Sequence, residues 1–514
     1  MNQSRGISSL LSFSRAGCFL TAFTTGAVVM ALEILGSRLL APVFGNSLFV
    51  WGALIGVVLA AMSSGYAAGG WLADRRPAHL VLACLLLGAG VWTLLLARFA
   101  QPMVFTVSNW IQDPRWGPCL AASIMLAVPA FGLSGVLPAL LRLAIADMGH
   151  LGRHTGAMIA VSTIGSLIGT WGTSFYLLTW LGSLTLVAVL GMTQMGLGII
   201  WLLWAKRIKL STVIPVLGLL GICSWLAWHP VLVQPPGVYE EESPYQQVRV
   251  RDNDLFRFLI LDNTFHAVMW KAAPVYLALP YSQMMMAALG VQDDPEHALI
   301  LGHGGGSLAK WLAKYWPQLQ LDVVEMDPSV VQAAARFFEY EPGHHRVYVK
   351  DARRFLQGRS VRYDIIWVDV FARHLIPFHL TTQEFFVELR SHLEPEGILA
   401  VNLASSDADL DRVRAEAVLT TMKTSFPNVE SFSVSGPAWL STKPGSANII
   451  FFAGPSARGM KDPKFMAKAQ EMVAKGALPA EVLPLLKSSD SPSWNPGLIL
   501  TDDFSPFDIL QGSG

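Results

Sequence analysis

The sequence predicts two bodies of different class: a multi-pass α-helical membrane domain, then a soluble α/β domain of the doubly wound type that opens with a small N-terminal β-region. Three observations predict this. Hydrophobic residues fill 52% and charged residues 14% of the 514 positions, and the mean hydropathy is +0.43, outside the range of an ordinary soluble chain. The charges are also unevenly divided. Residues 1–234 hold 12 Lys and Arg against Glu33, Asp74, Asp113 and Asp147, which leaves 25 basic and 33 acidic residues for the rest. The neutral total of 37 against 37 thus conceals a +8 half and a −8 half. Finally, from residue 297 onward short apolar runs alternate with helical stretches, the order of a parallel sheet with crossover helices.

The membrane domain is assigned to residues 1–234. Arg5 and Arg15 precede an apolar stretch of about 20 residues, long enough to cross roughly 30 Å of hydrocarbon. Without a cleavage site it reads as a first transmembrane helix, not a signal peptide. Apolar segments near 17–36, 48–72, 79–98, 117–145, 156–182, 184–205 and 211–233 give seven spans, with six or eight as the alternatives. Pro129 and Pro138 predict a kinked or partly re-entrant fourth segment. Cys18, Cys84, Cys119 and Cys223 all lie in apolar runs without C-x-x-C spacing, which argues against a disulfide framework and a metal site.

After Pro235-Pro236 the pattern changes. Residues 235–296 form a small β-region and linker, with alternating strands at Gln246–Val250 and Phe256–Leu261 joined by Asp252-Asn253-Asp254 turn chemistry. A core α/β domain over 297–456 contains strands at His297–Gly302, Leu321–Asp327, Arg346–Lys350, Tyr363–Asp369 and Gly397–Ala404, and 457–514 is a C-terminal helical extension. The first core strand runs into Gly302-His303-Gly304-Gly305-Gly306-Ser307 and then an amphipathic helix with Leu308, Trp311 and Leu312. Such a turn lets a ligand approach the backbone and the helix N-terminus. Glu325 ends the second strand about 20 residues further on, where nucleoside-binding folds hold ribose hydroxyls. Asp351 follows the third strand and Asp369 ends the fourth. Each acid alone could be a helix N-cap; three in succession line the crevice where ligands bind in this architecture.

These residues, in this order after a small β-region, resemble the spermidine synthases, which transfer an aminopropyl group from decarboxylated S-adenosylmethionine to putrescine. Ser243-Pro244-Tyr245-Gln246 and Leu261-Asp262 are similar to that family's opening strands. With the membrane half included, the chain resembles membrane-embedded spermidine synthase-like proteins in Glu33–Arg38, Trp51-Gly52, Gly65-Tyr66, Gly69–Arg76, Thr501-Asp502-Asp503 and Pro506. The resemblance implies that Gln246, Gly302, Gly304, Glu325, Asp351 and Ala352 hold the nucleoside, with Glu325 on the ribose and Asp351 on the adenine amino group. It implies Asp369 as the catalytic carboxylate that orients the attacking amine and takes its proton, and Tyr281 is assigned to the acceptor, as are His374 and His379 on the chemistry of their own segment. Two departures stand out: Gly305 and Ala372 occupy positions where the family has amine-binding aspartates. Arg373, His374 and His379 nearby suit a less cationic acceptor, or one carrying a carboxylate or phosphate.

The leading expectation is therefore a membrane-bound aminopropyltransferase-like enzyme using decarboxylated S-adenosylmethionine, or S-adenosylmethionine itself, as co-substrate, with an amine or other small acceptor and no metal. The alternatives are a methyltransferase sharing the same nucleoside contacts, and a transporter or sensor with a nucleoside- or polyamine-binding domain. The acidic soluble half disfavours nucleic acid; the lipid bilayer is a partner, and self-association into a homo-oligomer is left open. The expected location is the cell (inner) membrane. Its sidedness has two opposed indications. Nine Lys and Arg lie on the side of the N-terminus against Arg38, Arg98 and Arg115 on the other, which favours a cytoplasmic N-terminus. Seven spans then place the soluble domain outside the cytosol, where S-adenosyl compounds are made.

Overall fold

The computed structural model describes residues 2–45, 48–111, 113, 115–144, 151–204, 210–229, 237–262, 264–343, 345–371, 376–405, 410–437, 447–457, 459–460, 462–488 and 494–505. These divide into two units, 1–235 and 236–514.

In the first unit the helices are α1 (Asn2–Phe44), α2 (Leu48–Arg75), α3 (Ala78–Trp110), α4 (Trp116–Ala144), α5 (Leu151–Gly172), α6 (Leu178–Leu181), α7 (Ser183–Trp204) and α8 (Leu210–Ala227). Among the described residues five stretches are long and apolar enough to cross a membrane: Ala16–Phe44 in α1, and all of α2, α3, α4 and α7. The region expected as the fifth span is α5 running through a π-turn, Thr173–Leu177, into α6. That expected as the seventh is α8, whose apolar part is Ile214–Ala227. Inside this unit Thr93 on α3 and Gln194 on α7, both buried, hydrogen-bond each other at 3.2–3.3 Å. Asp74 at the end of α2 takes the Arg142 guanidinium of α4 at 2.5 Å. Trp110, Trp116, Trp180 and Trp228 are exposed at helix ends, where membrane-interface aromatics sit.

The second unit opens with an antiparallel sheet, β1 (Tyr239–Glu242), β2 (Gln247–Asp252), β3 (Phe256–Leu261) and β4 (Thr264–Trp270), in that spatial order. One face of it carries Val248, Val250, Leu259, Leu261 and Ala267 onto Val330, Ala333 and Phe338 of the following domain. Helix α9 (Pro280–Met285) leads into the main sheet. There β5 (His297–Leu301), α10 (Ser307–Tyr315), β6 (Gln320–Glu325), α11 (Pro328–Phe337), β7 (Arg346–Val349), α12 (Ala352–Leu356), β8 (Tyr363–Val368), α13 (Gln383–Ser391), β9 (Leu393–Ser405), α14 (Leu410–Ser425), β10 (Val429–Ser435) and β11 (Ala447–Ala453) follow, with α15 (Pro463–Ala474) and α16 (Val482–Ser488) after them.

The spatial order is β10-β11-β9-β8-β5-β6-β7, with β5 to β9 parallel and β10 and β11 antiparallel at one edge. The expected parallel strands are present, and the β10–β11 pair extends the sheet beyond them. Residues alternate between two cores. Ala298, Ile300, Val323, Ile365 and Trp367 face α9, α10 and the C-terminal helices, whereas Leu299, Leu301, Val324, Ile366 and Val368 face α12, α13 and α14. Burial on both faces is why these strands read as unbroken apolar runs. Chain order reverses between β5 and β8, and that switch point puts the ends of both strands at a ligand crevice.

Candidate functional site

At the switch point the glycine turn and Asp369 are built against each other. The Asp369 amide donates to Leu301 O at 2.8 Å, and Gly302 N donates to Val324 O at 2.8 Å. Gly302 has φ +95, and a Cβ there would lie 2.2 Å from Asp369 O, so only glycine lets the turn pass this close to β8. The Asp369 carboxylate accepts from Asn402 Nδ2 at 2.8 Å and from the Tyr281 hydroxyl at 3.4 Å. Burial pushes Asp369 up to about 6, against the two hydrogen bonds, which favour its charged form. Burial and the neighbouring carboxylate push Tyr281 well above the usual phenol range, so it remains a donor. Asp369, Tyr281, Gly302 and Gly304 line one cavity together with His266 and His303.

Glu325 stands behind the same turn. One carboxylate oxygen accepts from His303 N at 3.1 Å and the other from Asp327 N at 3.0 Å. Burial raises its carboxyl while these backbone donors oppose the rise. A carboxylate has about four acceptor positions, so bonds to the loop leave room for a diol. Gln246 reaches Asp327, with Nε2 3.3 Å from Oδ2, alongside Ser243 Oγ at 2.6 Å. Asp327 itself caps α11 through the Ser329 amide at 2.9 Å, with Pro328 in the first turn. The β-region is thereby tied to the end of β6.

Asp351 caps α12, accepting from Arg354 N at 2.9 Å, and its second oxygen meets His379 Nε2 at 3.4 Å. The His379 contact foremost holds Asp351 below the usual carboxylate range. Ala352 is the first residue of α12 and is buried. His379, expected at the acceptor, thus stands beside the acid expected at the adenine. His374 lies outside the described residues, as do Ala372 and Arg373. The His379 carbonyl accepts from Arg353 Nη1 at 3.2 Å. Arg353 is itself gripped by both oxygens of Asp502 at 2.7 and 2.6 Å, and Thr382 Oγ1 donates to Asp502 at 2.7 Å. Asn402, Asp327, Arg353 and Asp502 are site-supporting residues that the sequence reading did not assign. Among the described residues no group of three or more His, Cys, Asp and Glu is placed to hold a metal.

A switch-point crevice with a glycine turn and strand-end acids defines a nucleoside-binding α/β domain. Residues 279–447, which follow the apolar helices in the sequence, match the spermine/spermidine synthase domain family. Among curated proteins it is similar to the polyamine aminopropyltransferase of Vibrio vulnificus (strain CMCP6), 28% identical over 291 residues that make up 53% of this chain and 91% of that protein. It is also similar to a probable polyamine aminopropyl transferase of Bifidobacterium longum (strain NCC 2705), 29% identical over 41% of this chain and 48% of that one, so it spans about half of that relative. Among solved structures, a probable spermidine synthase from Corynebacterium glutamicum ATCC 13032 aligns over 51% of this chain and 98% of its own, at 19% identity and a TM-score of 0.40.

Proposed function

We propose that this protein is a membrane-bound aminopropyltransferase that moves the aminopropyl group of decarboxylated S-adenosylmethionine to an amine acceptor. The observation that carries the reading is Asp369: a carboxylate at the reacting end of β8, beside the glycine turn, raised by burial to about 6 and oriented by Asn402 and Tyr281. A base of that strength operates near neutral pH. In the step proposed, the acceptor amine loses a proton to Asp369 and its lone pair attacks the propyl carbon next to the sulfonium. The C–S bond breaks, its electron pair neutralises the sulfur, and methylthioadenosine leaves as a neutral thioether that needs no acid.

Gly302, Gly304 and Glu325 would hold the ribose side of the nucleoside and Asp351 its adenine, with Gln246 and Ala352 supporting them. The Asp351–His379 pair favours moving His379 from the acceptor to the adenine side. Tyr281 would orient the base. The five apolar stretches would anchor the enzyme in the cell membrane. The test is product analysis with the full chain in lipid. Methylthioadenosine release from the decarboxylated donor supports the reading; S-adenosylhomocysteine from S-adenosylmethionine would instead favour methyl transfer.

A further inference from the structure

His303 sits in the middle of the glycine turn, where its backbone amide serves Glu325, yet its side chain has no such employment. His303 is 7% exposed and is one of the residues lining the cavity that holds Asp369, and its two ring nitrogens are enclosed with no hydrogen-bond partner. It packs edge-on against Tyr340, ring centroids 4.3 Å apart, and the buried Tyr340 hydroxyl also lacks a partner. Burial, then the Lys310 charge, then His345, lower the ring's basicity to about 3, so it stays neutral in an electropositive field. Lys310 is buried too, its ammonium capped by the carbonyls of Pro274 at 2.9 Å and Phe338 at 2.5 Å. A neutral imidazole keeps one N–H donor in either tautomer, and a buried donor with nothing to bind calls for a ligand group that accepts.

Packing closes the opposite possibility. A Cβ on Gly305 would fall 2.9 Å from Ala267 Cβ and 3.1 Å from Phe338 Cδ1, so β4 and α11's end exclude an acidic side chain from that point of the turn. Asp369 is then the one carboxylate among the described residues lining this cavity, and the proposed reaction uses it as a base.

We propose that His303 is a specificity-determining residue, whose ring donates to a carboxylate carried by one of the two reactants and so selects against a pair that is cationic throughout. This rests on the transferase reading for the identity of the reactants, and is tested by binding so that the two can fail separately. The carboxylate could belong to the acceptor or to the donor, and two pairs of ligands matched in length separate these sources. With the full chain in lipid nanodiscs and methylthioadenosine bound, calorimetry compares 4-aminobutyrate with 1,4-diaminobutane. Without methylthioadenosine, it compares S-adenosylmethionine with its decarboxylated form.

In one pair the carboxylate-bearing ligand is expected to bind about tenfold tighter, as for a charge-assisted hydrogen bond. His303→Leu should erase that preference, and His303→Gln, which retains a donor, should keep most of it. Affinity for methylthioadenosine should stay within about twofold in both variants, which reports an intact turn. If His303→Leu does not fold, His303→Asp provides the second arm, with the preference expected to reverse toward the all-cationic ligand. The proposal is overturned if neither pair favours the carboxylate, or if the preference survives in His303→Leu. Loss of turnover with an intact, His303-dependent preference would sink the transferase reading and leave this one standing.

Discussion

The Asn402 side-chain amide donates to Asp369 at 2.8 Å while its own oxygen accepts from Asn448 Nδ2 at 2.9 Å, so the proposed base is held from β9 and β11 as well as from β8. Burial raises Asp369 to about 6, and the Asn402 bond pulls the other way by favouring the carboxylate. Because the carboxylate is the active form of a base, kcat/KM should fall as pH drops through about 6. Asn402→Ala withdraws support from the charged form and moves this acidic limb to higher pH, with the loss of activity largest below neutrality. A pH profile of kcat/KM for parent and variant checks this, and an unmoved limb would detach Asn402 from the base.

Glu325 answers to two demands, the loop amides of His303 and Asp327 and the proposed ribose. Glu325→Gln keeps an acceptor for the loop but loses the charge. It should weaken S-adenosyl compounds by roughly tenfold or more, the worth of a charged hydrogen bond at about 1.5–3 kcal/mol. Glu325→Ala should also cost stability, about 1–3 kcal/mol for buried amides left unpaired. Calorimetry and chemical denaturation separate the effects. Unchanged affinity in Glu325→Gln would leave this residue as a loop anchor alone.

Asp502 and Arg353 join the C-terminal segment to the His379 turn across 149 residues of chain. The Arg353 bonds foremost hold Asp502 below the usual carboxylate range. A depressed carboxyl contributes stability that is present above its unfolded pKa, near 3.8, and is lost as pH falls through the folded value. Asp502→Asn should therefore lower stability at pH 7 by about 0.5–1 kcal/mol, since the pair is partly exposed, and the difference should vanish in acid. Denaturation midpoints compared from pH 7 down to about pH 2 test the sign; a gap that does not shrink across that range would assign the effect to packing.

What could be read from the sequence, and what could not, follows from distance along the chain. Strands β5, β6 and β8 announce themselves because both faces are buried, and the glycine turn because Gly302 must pass Asp369 O. The edge pair was missed although Ile449–Ala453 is an apolar run: β10 alternates Phe432 and Val434 with Ser431 and Ser433, and nothing local says that it returns to pair with β11. Tyr281 came from resemblance, since its partner Asp369 lies 88 residues away. Asn402, Arg353 and Asp502 act only through contacts that folding creates. His303 hid in plain view, because a histidine among glycines shows no sign of being buried until Tyr340 and Lys310 are placed around it.

The most direct measurement is methylthioadenosine release by the full chain in lipid, supplied with decarboxylated S-adenosylmethionine and an amine acceptor, in the parent and in Asp369→Asn. Asparagine preserves the shape and the contact with Tyr281 but cannot take the proton. Release by the parent is expected, with a loss of about a hundredfold to ten-thousandfold in kcat for the variant, and methylthioadenosine affinity within about twofold in both. Parent protein that binds the nucleoside yet releases no methylthioadenosine, or a variant that turns over as fast as the parent, would contradict the proposed reaction.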